Sequence, residues 1–141
     1  HRSGHSFPTR RSSDLHFKSI NDLYGHEAGD VVLRDFADRM QGALRALDLA
    51  ARYGGEEFLV VMPGAGLAEA RVAGERLRAI IADRPFLLED GTDIAVTVSV
   101  GLAQAVPGET VEGLLRRADT ALYTAKHEGR NQVQAATAAA A

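Results

Sequence analysis

Arg-Tyr-Gly-Gly-Glu-Glu-Phe, residues 52–58, joins two short apolar runs and predicts a β-hairpin with strands at 49–53 and 58–62. The two glycines suit the turn and let the backbone approach a bulky ligand closely. A turn does not need the adjacent carboxylates of Glu56 and Glu57, which repel each other but can hold Mg²⁺ against phosphates. The stretch therefore predicts a hairpin whose tip is either a ligand site or a solvated acidic turn.

Outward from this hairpin, the spacing of apolar residues predicts the remaining elements. They are helices at 31–46, 67–82 and 111–127, a strand at 94–105 and an edge strand at 132–134. Asp30 is expected to cap the first helix and Gly129 to end the last, in which Tyr123 is expected to face the core. A strand ending near residue 16 is expected before them. Helices on one face of a mostly antiparallel sheet make an α+β domain.

The composition is that of a single globular domain of 141 residues, with 45% apolar and 25% charged residues. The absence of cysteine excludes disulfides and thiol catalysis and fits a reducing compartment. The net charge of −3 argues against a broad nucleic-acid surface. The chain has neither an apolar run of about 18 residues nor a signal-peptide pattern, so a cytoplasmic location is expected.

The two ends of the chain differ from the region between them. Residues 1–15 are rich in Ser, Arg and His, with neither helical nor strand periodicity. They are either a foreign segment, such as translated adapter sequence, or a native disordered linker. Residues 135–141 form an alanine-rich tail that is expected to fray. The predicted organisation is thus an unpatterned segment, a domain at 16–134 and a disordered tail.

The hairpin sequence resembles the signature of the GGDEF family of diguanylate cyclases, in the variant with Glu at its third position. Further segments resemble that family in the same order and at its spacing. They are HFKSIND at 16–22, YGHEAGD at 24–30, VTVSVG at 96–101, and ADTALYTAK at 118–126 followed by GRN at 129–131. The resemblance covers about residues 16–134.

This resemblance implies a fold like that of the nucleotidyl cyclase and polymerase palm, which is ferredoxin-like. It implies an Mg²⁺-dependent enzyme, with Mn²⁺ as an alternative ion, that condenses two GTP molecules into cyclic di-GMP and releases two pyrophosphates. Catalysis would need a homodimer in which two GTP sites face each other. The family also implies a sensory or receiver domain upstream, where a membrane anchor would lie, and neither nucleic-acid nor membrane contact by this domain.

The resemblance assigns the catalytic roles to the hairpin tip. Glu56 would be a metal ligand and proton acceptor, and Glu57 would shape the site beside it. Gly54 and Gly55 would let the hairpin pass close beneath the nucleotide. Asp14 is a doubtful further metal ligand, through its backbone carbonyl.

The substrate contacts are carried over in the same way. Asn21 and Asp30 would read the guanine base, whose N1–H and exocyclic amine suit a carboxylate acceptor. Their alternative roles are a turn residue and a helix cap. His26 would also contact the substrate. The remaining contacts would be to phosphates, from the N–H groups around Phe17 and the side chains of Lys18, Lys126 and Arg130.

Arg45 and Asp48 resemble the Arg-x-x-Asp pair of the family's inhibitory site, which binds the product cyclic di-GMP. Arg offers a bidentate fork to phosphate or guanine, and Asp accepts from guanine. Arg76 on the next helix is a plausible second arm. The alternative is an ordinary surface ion pair worth a few tenths of a kcal/mol.

The match fails just before the phosphate loop. Where the family has Asp-x-Asp, this chain has Ser13-Asp14-Leu15. Since a shift of one residue turns a strand side chain to the opposite face, Asp14 should not replace the missing acid at position 13. Two hypotheses follow: a cyclase that is active in its complete native form, or a non-catalytic module that binds GTP or cyclic di-GMP.

Overall fold

The computed structural model describes residues 8–13, 17–54 and 56–137. The elements in chain order are β1 (Pro8–Ser13), α1 (Phe17–Tyr24), α2 (His26–Ala43), β2 (Leu49–Arg52), β3 (Glu57–Val61), α3 (Leu67–Asp83), β4 (Phe86–Leu87), β5 (Asp93–Ile94), β6 (Val98–Leu102), α4 (Val111–His127) and β7 (Val133–Ala135). Five strands form one sheet in the order β2-β3-β1-β6-β7, and β4 pairs with β5. In the described sheets only the β6–β7 pair is parallel, which confirms the predicted α+β class with a mostly antiparallel sheet.

Strand β1 occupies the middle of the five-stranded sheet. Thr9 lies opposite Val60 of β3 and opposite Leu102 of β6, with antiparallel pairing on both sides. The strand expected before the first helix is therefore present, but it ends at Ser13 rather than near residue 16, in a segment without strand periodicity. A slot between two strands offers a row of hydrogen bonds on each side, and these neighbours can override a weak local pattern. The division into three segments stays a prediction.

Helices cover both faces of the sheet at β6. A Cβ atom placed on Gly74 of α3 would lie 3.5 Å from Cγ1 of Val100, so α3 packs on that face. On the opposite face, a Cβ atom on Gly101 would collide with the backbone of Ala118 and Leu122 in α4. Every residue of β6 is accordingly buried. The expectation that the helices share one face is wrong.

The larger core lies on the α3 face and the smaller one beneath α4. The largest fully buried side chains of the first are Ile20, Phe36, Leu77, Ile81, Phe86 and Leu102. The second contains Ala103, Leu114 and Ala118. No helix within the described ranges is long and apolar enough to cross a bilayer.

Helix α2 begins earlier than its sequence predicts. Gly25 is the N-cap, so Asp30 lies in the second turn and is not the cap that the sequence indicates. The helix also ends at Ala43, three residues before the predicted end at 46, and Leu47 is exposed. Residues 26–30 have no strong helix breaker before Gly29, and packing on α1 carries the helix through that glycine.

Two further expectations need correction. The strand expected at 94–105 is divided, because Asp93–Ile94 turns back to pair with Phe86–Leu87 and only Val98–Leu102 joins the main sheet. Helix α4 has the predicted bounds, but Tyr123 is 62% exposed and does not face the core. Its ring stacks on that of His127 at a centroid distance of 3.9 Å, one turn along the solvent side of the helix.

Candidate functional site

The hairpin at 52–58 forms as its sequence predicts. The N–H groups of Tyr53 and Gly54 donate to the carbonyl oxygen of Glu57 at 2.7 and 3.3 Å, which closes the turn. Phe58 is buried and stacks on Phe36 of α2, with a centroid distance of 4.9 Å. This packing fixes the base of the hairpin against α2, so the tip has a defined position.

The tip itself is accessible. Glu56 and Glu57 are half-buried and Gly54 is exposed, while Gly55 lies outside the described residues. Leaving aside Gly54 and its two chain neighbours, no described atom lies within 4 Å of the position that a Cβ atom on Gly54 would take. The space beside the turn is therefore open to a ligand.

A cavity of about 260 Å³ brings Glu57 together with Lys126 of α4, and Asp119, Leu122 and Tyr123 complete its lining. Two carboxylates and an ammonium group thus share one opening beside the hairpin. Asp119 carried no role in the sequence analysis. The available signal was an acidic residue between small apolar residues in the ADTALYTAK segment, on the same helix face as Lys126 seven residues later.

Asn21 lies on α1 and packs against α2 at Gly29. Its Oδ1 atom is buried and accepts no hydrogen bond within the described residues. A Cβ atom on Gly29 would collide with that oxygen. Because a buried polar atom without a partner is costly, this acceptor suits a donor brought by a ligand. Gly29, the residue before Asp30, has a steric role that sequence reasoning missed.

Asp30 and His26 are exposed and share a face of α2, since they are four residues apart. Asp30 follows Gly29 in α2, and its shared role with Asn21 stays a prediction. Phe17 and Lys18 begin α1. Their side chains, and the whole of Asp14, lie outside the described residues. Those assignments stay predictions.

Arg130 follows the end of α4. It is exposed, its backbone has a left-handed φ of 62°, and its N–H donates to the carbonyl oxygen of Ala125 at 2.9 Å. Gly129 has a φ of 118° and follows the C-cap Glu128, which confirms its predicted place at the end of the helix.

A second cavity, of about 320 Å³, lies between α3 and the segments that follow α2 and β3. It brings together Arg45, Asp48 and Arg76, as the sequence predicts, and Glu69 also lines it. The side chain of Asp48 is fully buried. The side chain of Arg45 is 37% exposed, and the assignment of a product site rather than an ordinary surface ion pair stays a prediction.

The ion pair in this cavity is built with several hydrogen bonds. Arg45 donates from Nη2 and Nε to Oδ1 of Asp48 at 2.7 and 3.0 Å, and its backbone N–H donates to Oδ2 at 2.8 Å. Nη2 also donates to the carbonyl oxygen of Pro63 at 2.8 Å. The hydrogen bond to Asp48 is the main cause that raises the pKa of Arg45 above its ordinary value. The guanidinium is thus held in one orientation at the cavity wall.

The metal expected at Glu56 can be tested against the donors present. Within the described ranges, no three Asp, Glu, His or Cys side chains form a group that could hold an ion. Ser12 lies opposite Glu57 in the sheet, so Ser13 ends β1 beside the hairpin tip and offers no carboxylate there. In nucleotide sites Mg²⁺ is commonly held by one or two carboxylates plus substrate phosphates. The donors fit an Mg²⁺ ion that is also held by a triphosphate.

Comparison with known proteins gives a family match over most of the chain. The family model "Diguanylate cyclase, GGDEF domain" matches residues 14–132. The response regulator PleD of Caulobacter vibrioides is 50% identical over 119 residues, which are 83% of this chain and 26% of that protein. The chain thus spans about a quarter of the length of that relative.

Solved structures show the same fold. The GGDEF domain of DgcB from Caulobacter crescentus, solved in complex with c-di-GMP, has a TM-score of 0.85 at 36% identity, covering 94% of this chain and 78% of that one. The active GGEEF domain of a diguanylate cyclase from Vibrio cholerae has a TM-score of 0.83 at 30% identity, covering 95% and 84%. The GGEEF sequence of this second domain is the same Glu variant as the hairpin at 54–58.

Proposed function

Since the chain belongs to the GGDEF-domain family of diguanylate cyclases, we propose that it condenses two GTP molecules into cyclic di-GMP. In this reaction each 3′-hydroxyl attacks the α-phosphorus of the other GTP. Two phosphodiester bonds form, the two bonds to pyrophosphate break, and two hydroxyl protons are released. One chain holds one GTP, so the reaction requires two chains with their sites facing each other.

The observation that carries this proposal is the cavity shared by Glu57 and Lys126 at the hairpin that bears Glu56. The ammonium group of Lys126 would neutralise terminal phosphates, and Arg130 at the end of the same helix would add a second cation. Glu57 lines the cavity from the hairpin, where the metal-bound part of a triphosphate would be. This arrangement suits a reaction whose catalysis is mostly positioning and charge stabilisation.

The preference for guanine would come from α1 and α2. The orphaned Oδ1 of Asn21 would accept from the base, and the carboxylate of Asp30 would accept from its N1–H and exocyclic amine. Adenine lacks that pair of donors on the same edge. His26, on the same face of α2 as Asp30, would contact the substrate next to them.

Mg²⁺, with Mn²⁺ as an alternative, would be held by Glu56 and the phosphates. When bound, it withdraws charge from the phosphates and makes the attacking hydroxyl more acidic. Glu56 itself would accept that proton, and Glu57 would keep the adjacent side of the cavity polar. Exclusion of water from the joined sites of two chains would protect the reacting phosphates from hydrolysis.

The cavity at Arg45, Asp48 and Arg76 would bind the product and slow the enzyme. DgcB was solved with c-di-GMP, which makes this ligand a reasonable candidate for a domain of the same fold. Arg45 is held through Nε and Nη2 by the buried carboxylate of Asp48 and the carbonyl of Pro63, so its Nη1 would be preorganised to donate to a phosphate or a guanine edge. In the complete protein, an upstream receiver or sensory domain would control how two such domains meet.

A second function is favoured by one observation, the serine at position 13. β1 ends beside the hairpin tip with Ser13, where the family resemblance places an acid. A chain that lacks this carboxylate would bind GTP or cyclic di-GMP and signal without turnover.

The test is to incubate the chain with GTP and Mg²⁺ and to measure cyclic di-GMP and pyrophosphate by chromatography. We expect a product that requires GTP and is not formed from ATP. Asp30→Ala should weaken GTP binding by about 1–3 kcal/mol, the typical cost of leaving polar groups unpaired. If the chain binds GTP but forms no product, even after an acid is restored at position 13, the cyclase proposal is wrong and the non-catalytic binding module is favoured.

A further inference from the structure

The loop between α4 and β7 has a backbone conformation that L-amino acids rarely adopt. Three consecutive residues, Gly129, Arg130 and Asn131, have φ values of 118°, 62° and 48°. Glycine adopts such values freely and asparagine tolerates them, but arginine does so rarely. Contacts with neighbouring elements must therefore hold Arg130 in this conformation.

Those contacts reach Asn131 from two elements. Its N–H donates to Oγ of Ser99, a fully buried residue of β6, at 3.2 Å. Its side-chain Oδ1 accepts from Nη1 of Arg78 in α3 at 3.0 Å. The backbone of Asn131 is thus held by the sheet and its side chain by a helix.

Arg78 is itself held in place. Its Nε donates to Oε1 of Glu75, one turn earlier in α3, at 2.7 Å, and Nη2 forms an ion pair with the same oxygen. The Arg78 side chain is only 23% exposed. Since two atoms of the planar guanidinium are tied to Glu75, the third nitrogen keeps a fixed direction toward Asn131.

We propose that Arg78 is a positioning residue for triphosphate binding: through Asn131, it fixes the left-handed backbone from which Arg130 reaches the terminal phosphates. The inference rests on the proposed function, which gives Arg130 its phosphate contact. Arg78 touches no substrate in this scheme. It contacts Asn131, the residue after Arg130, and thereby limits the directions that the Arg130 side chain can take.

This role makes a prediction that simple stabilisation of the fold does not make. Loss of Arg78 should weaken binding of the phosphates that Arg130 contacts and leave the guanine contacts of Asn21 and Asp30 intact. GTP affinity should therefore fall while GMP affinity stays the same. A purely structural role for Arg78 would lower both affinities together.

The experiment compares Arg78→Ala with Arg71→Ala by titration calorimetry of GTP and of GMP in Mg²⁺. Arg71 is a matched control, because it is an exposed arginine two turns earlier on α3 and its loss changes the net charge equally. For Arg78→Ala we expect GTP affinity about tenfold lower, the effect of losing one charge-assisted hydrogen bond, with GMP affinity unchanged. Arg71→Ala should bind both nucleotides like the unmodified chain.

A double variant tests the route through Arg130. In an Arg130→Ala background, Arg78→Ala should cause no further loss of GTP affinity, because the group that it positions is gone. Equal losses for GTP and GMP, or additive losses in the double variant, would overturn the inference. So would unchanged GTP binding in Arg78→Ala.

Failure of the proposed function gives a different pattern. If the unmodified chain bound GTP and ATP equally and formed no cyclic di-GMP even with the acid restored, the cyclase proposal would fall. The same titrations would still show whether Arg78→Ala lowers the affinity for GTP more than the affinity for GMP. If the unmodified chain bound GTP no more tightly than GMP, the phosphate role of Arg130 and the inference would both be wrong.

Discussion

The side-chain oxygen Oδ1 of Asn21 occupies the space into which a Cβ atom on Gly29 would project. Helices α1 and α2 therefore approach each other closely at this point, and the oxygen is buried there without a hydrogen-bond donor among the described residues. Because position 29 has no side chain, the Oδ1 atom of Asn21 can lie against α2 at this point. The guanine site that we propose depends on this contact.

The first prediction concerns this contact. Gly29→Ala should displace the Asn21 side chain, lower GTP affinity and reduce the free energy of unfolding by about 1–3 kcal/mol, the usual cost of an overpacked contact. Calorimetry with GTP and urea denaturation would measure the two effects. Gly42→Ala is the matched control, because it lies on the same helix with no described atom within 4 Å of its Cβ position. Equal GTP affinity in the two variants would show that Asn21 does not contact the guanine base.

A second prediction separates binding from stability at the Arg45 cavity. Arg45→Ala should abolish measurable cyclic di-GMP binding and also destabilise the fold by about 1–3 kcal/mol, because the buried carboxylate of Asp48 loses its charged partner. Arg76→Ala should weaken cyclic di-GMP binding at little cost in stability, since its one described bond is a 3.5 Å contact with the carbonyl of Ala43. Calorimetry and thermal unfolding would be measured on each. Product binding that survives in both variants would place the ligand elsewhere.

The third prediction is a pH dependence of stability. Arg117 donates to both carboxylate oxygens of Glu109, at 2.7 and 2.8 Å, and this hydrogen bonding holds the pKa of Glu109 below its ordinary value of 4.5. A carboxyl whose pKa is lowered by folding contributes stability above its unfolded pKa and loses it as the pH falls through the folded pKa. The melting temperature should therefore fall on acidification below about pH 4.5.

The variant Glu109→Gln should melt at a lower temperature at pH 7 and lose less on acidification than the unmodified chain. Glu112→Gln removes the same charge from an exposed residue of the first turn of α4 and should keep the original pH profile. The comparison of the three melting curves between pH 7 and pH 3 is the measurement. If the melting temperatures of the unmodified chain and of Glu109→Gln fell in parallel with pH, the pH dependence would not come from the Arg117–Glu109 pair.

The fourth prediction is that the chain as it stands is a poor catalyst and that an acid at position 13 improves it. Ser13 ends β1 beside the hairpin tip, so one carboxylate of the expected metal site is missing. Metal stabilisation of the transition state is worth several kcal/mol, and each 1.36 kcal/mol is tenfold in rate, so the loss should cost roughly two to four decades. Replacing residues 13–15 by Asp-Ile-Asp should restore that rate, measured as cyclic di-GMP formed from GTP.

A replacement by Asn-Ile-Asn at the same positions is the control, since it keeps the size and the strand but adds no charge. Equal turnover of the original and the acid-restored chain would show that another group holds the metal. GTP affinity should change less than turnover, because Asn21, Asp30 and Lys126 are present in both.

Local patterns in the sequence predicted much of the fold. The hairpin followed from two apolar runs around a Gly-Gly turn, and α4 from apolar residues at helical spacing between Thr110 and Gly129. Thr110 caps that helix by accepting from the N–H of Gly113 at 3.0 Å. In these segments a local signal and the tertiary environment favour the same structure.

Other features depend on packing that no local pattern encodes. Asp30 has the chemistry of a helix cap, yet α2 begins at His26, and α1 packs against it at Gly29. Strand β1 is fixed by its two neighbours rather than by its own alternation. The roles of Gly29 and Arg78 depend on contacts between separate elements, so composition and spacing gave no signal for either.

The position of β1 also has a consequence for how the domain folds. Thr9 of β1 pairs with Leu102 of β6. One of the two partner strands of β1 therefore lies more than ninety positions later in the sequence. Closing so long a loop is entropically costly, and folds dominated by such distant pairings form slowly. During synthesis the β1 segment leaves the ribosome well before β6, so its edge that faces β6 stays without a partner strand until β6 has been made. Until then, its unpaired backbone is available to other strands, including those of a second nascent chain.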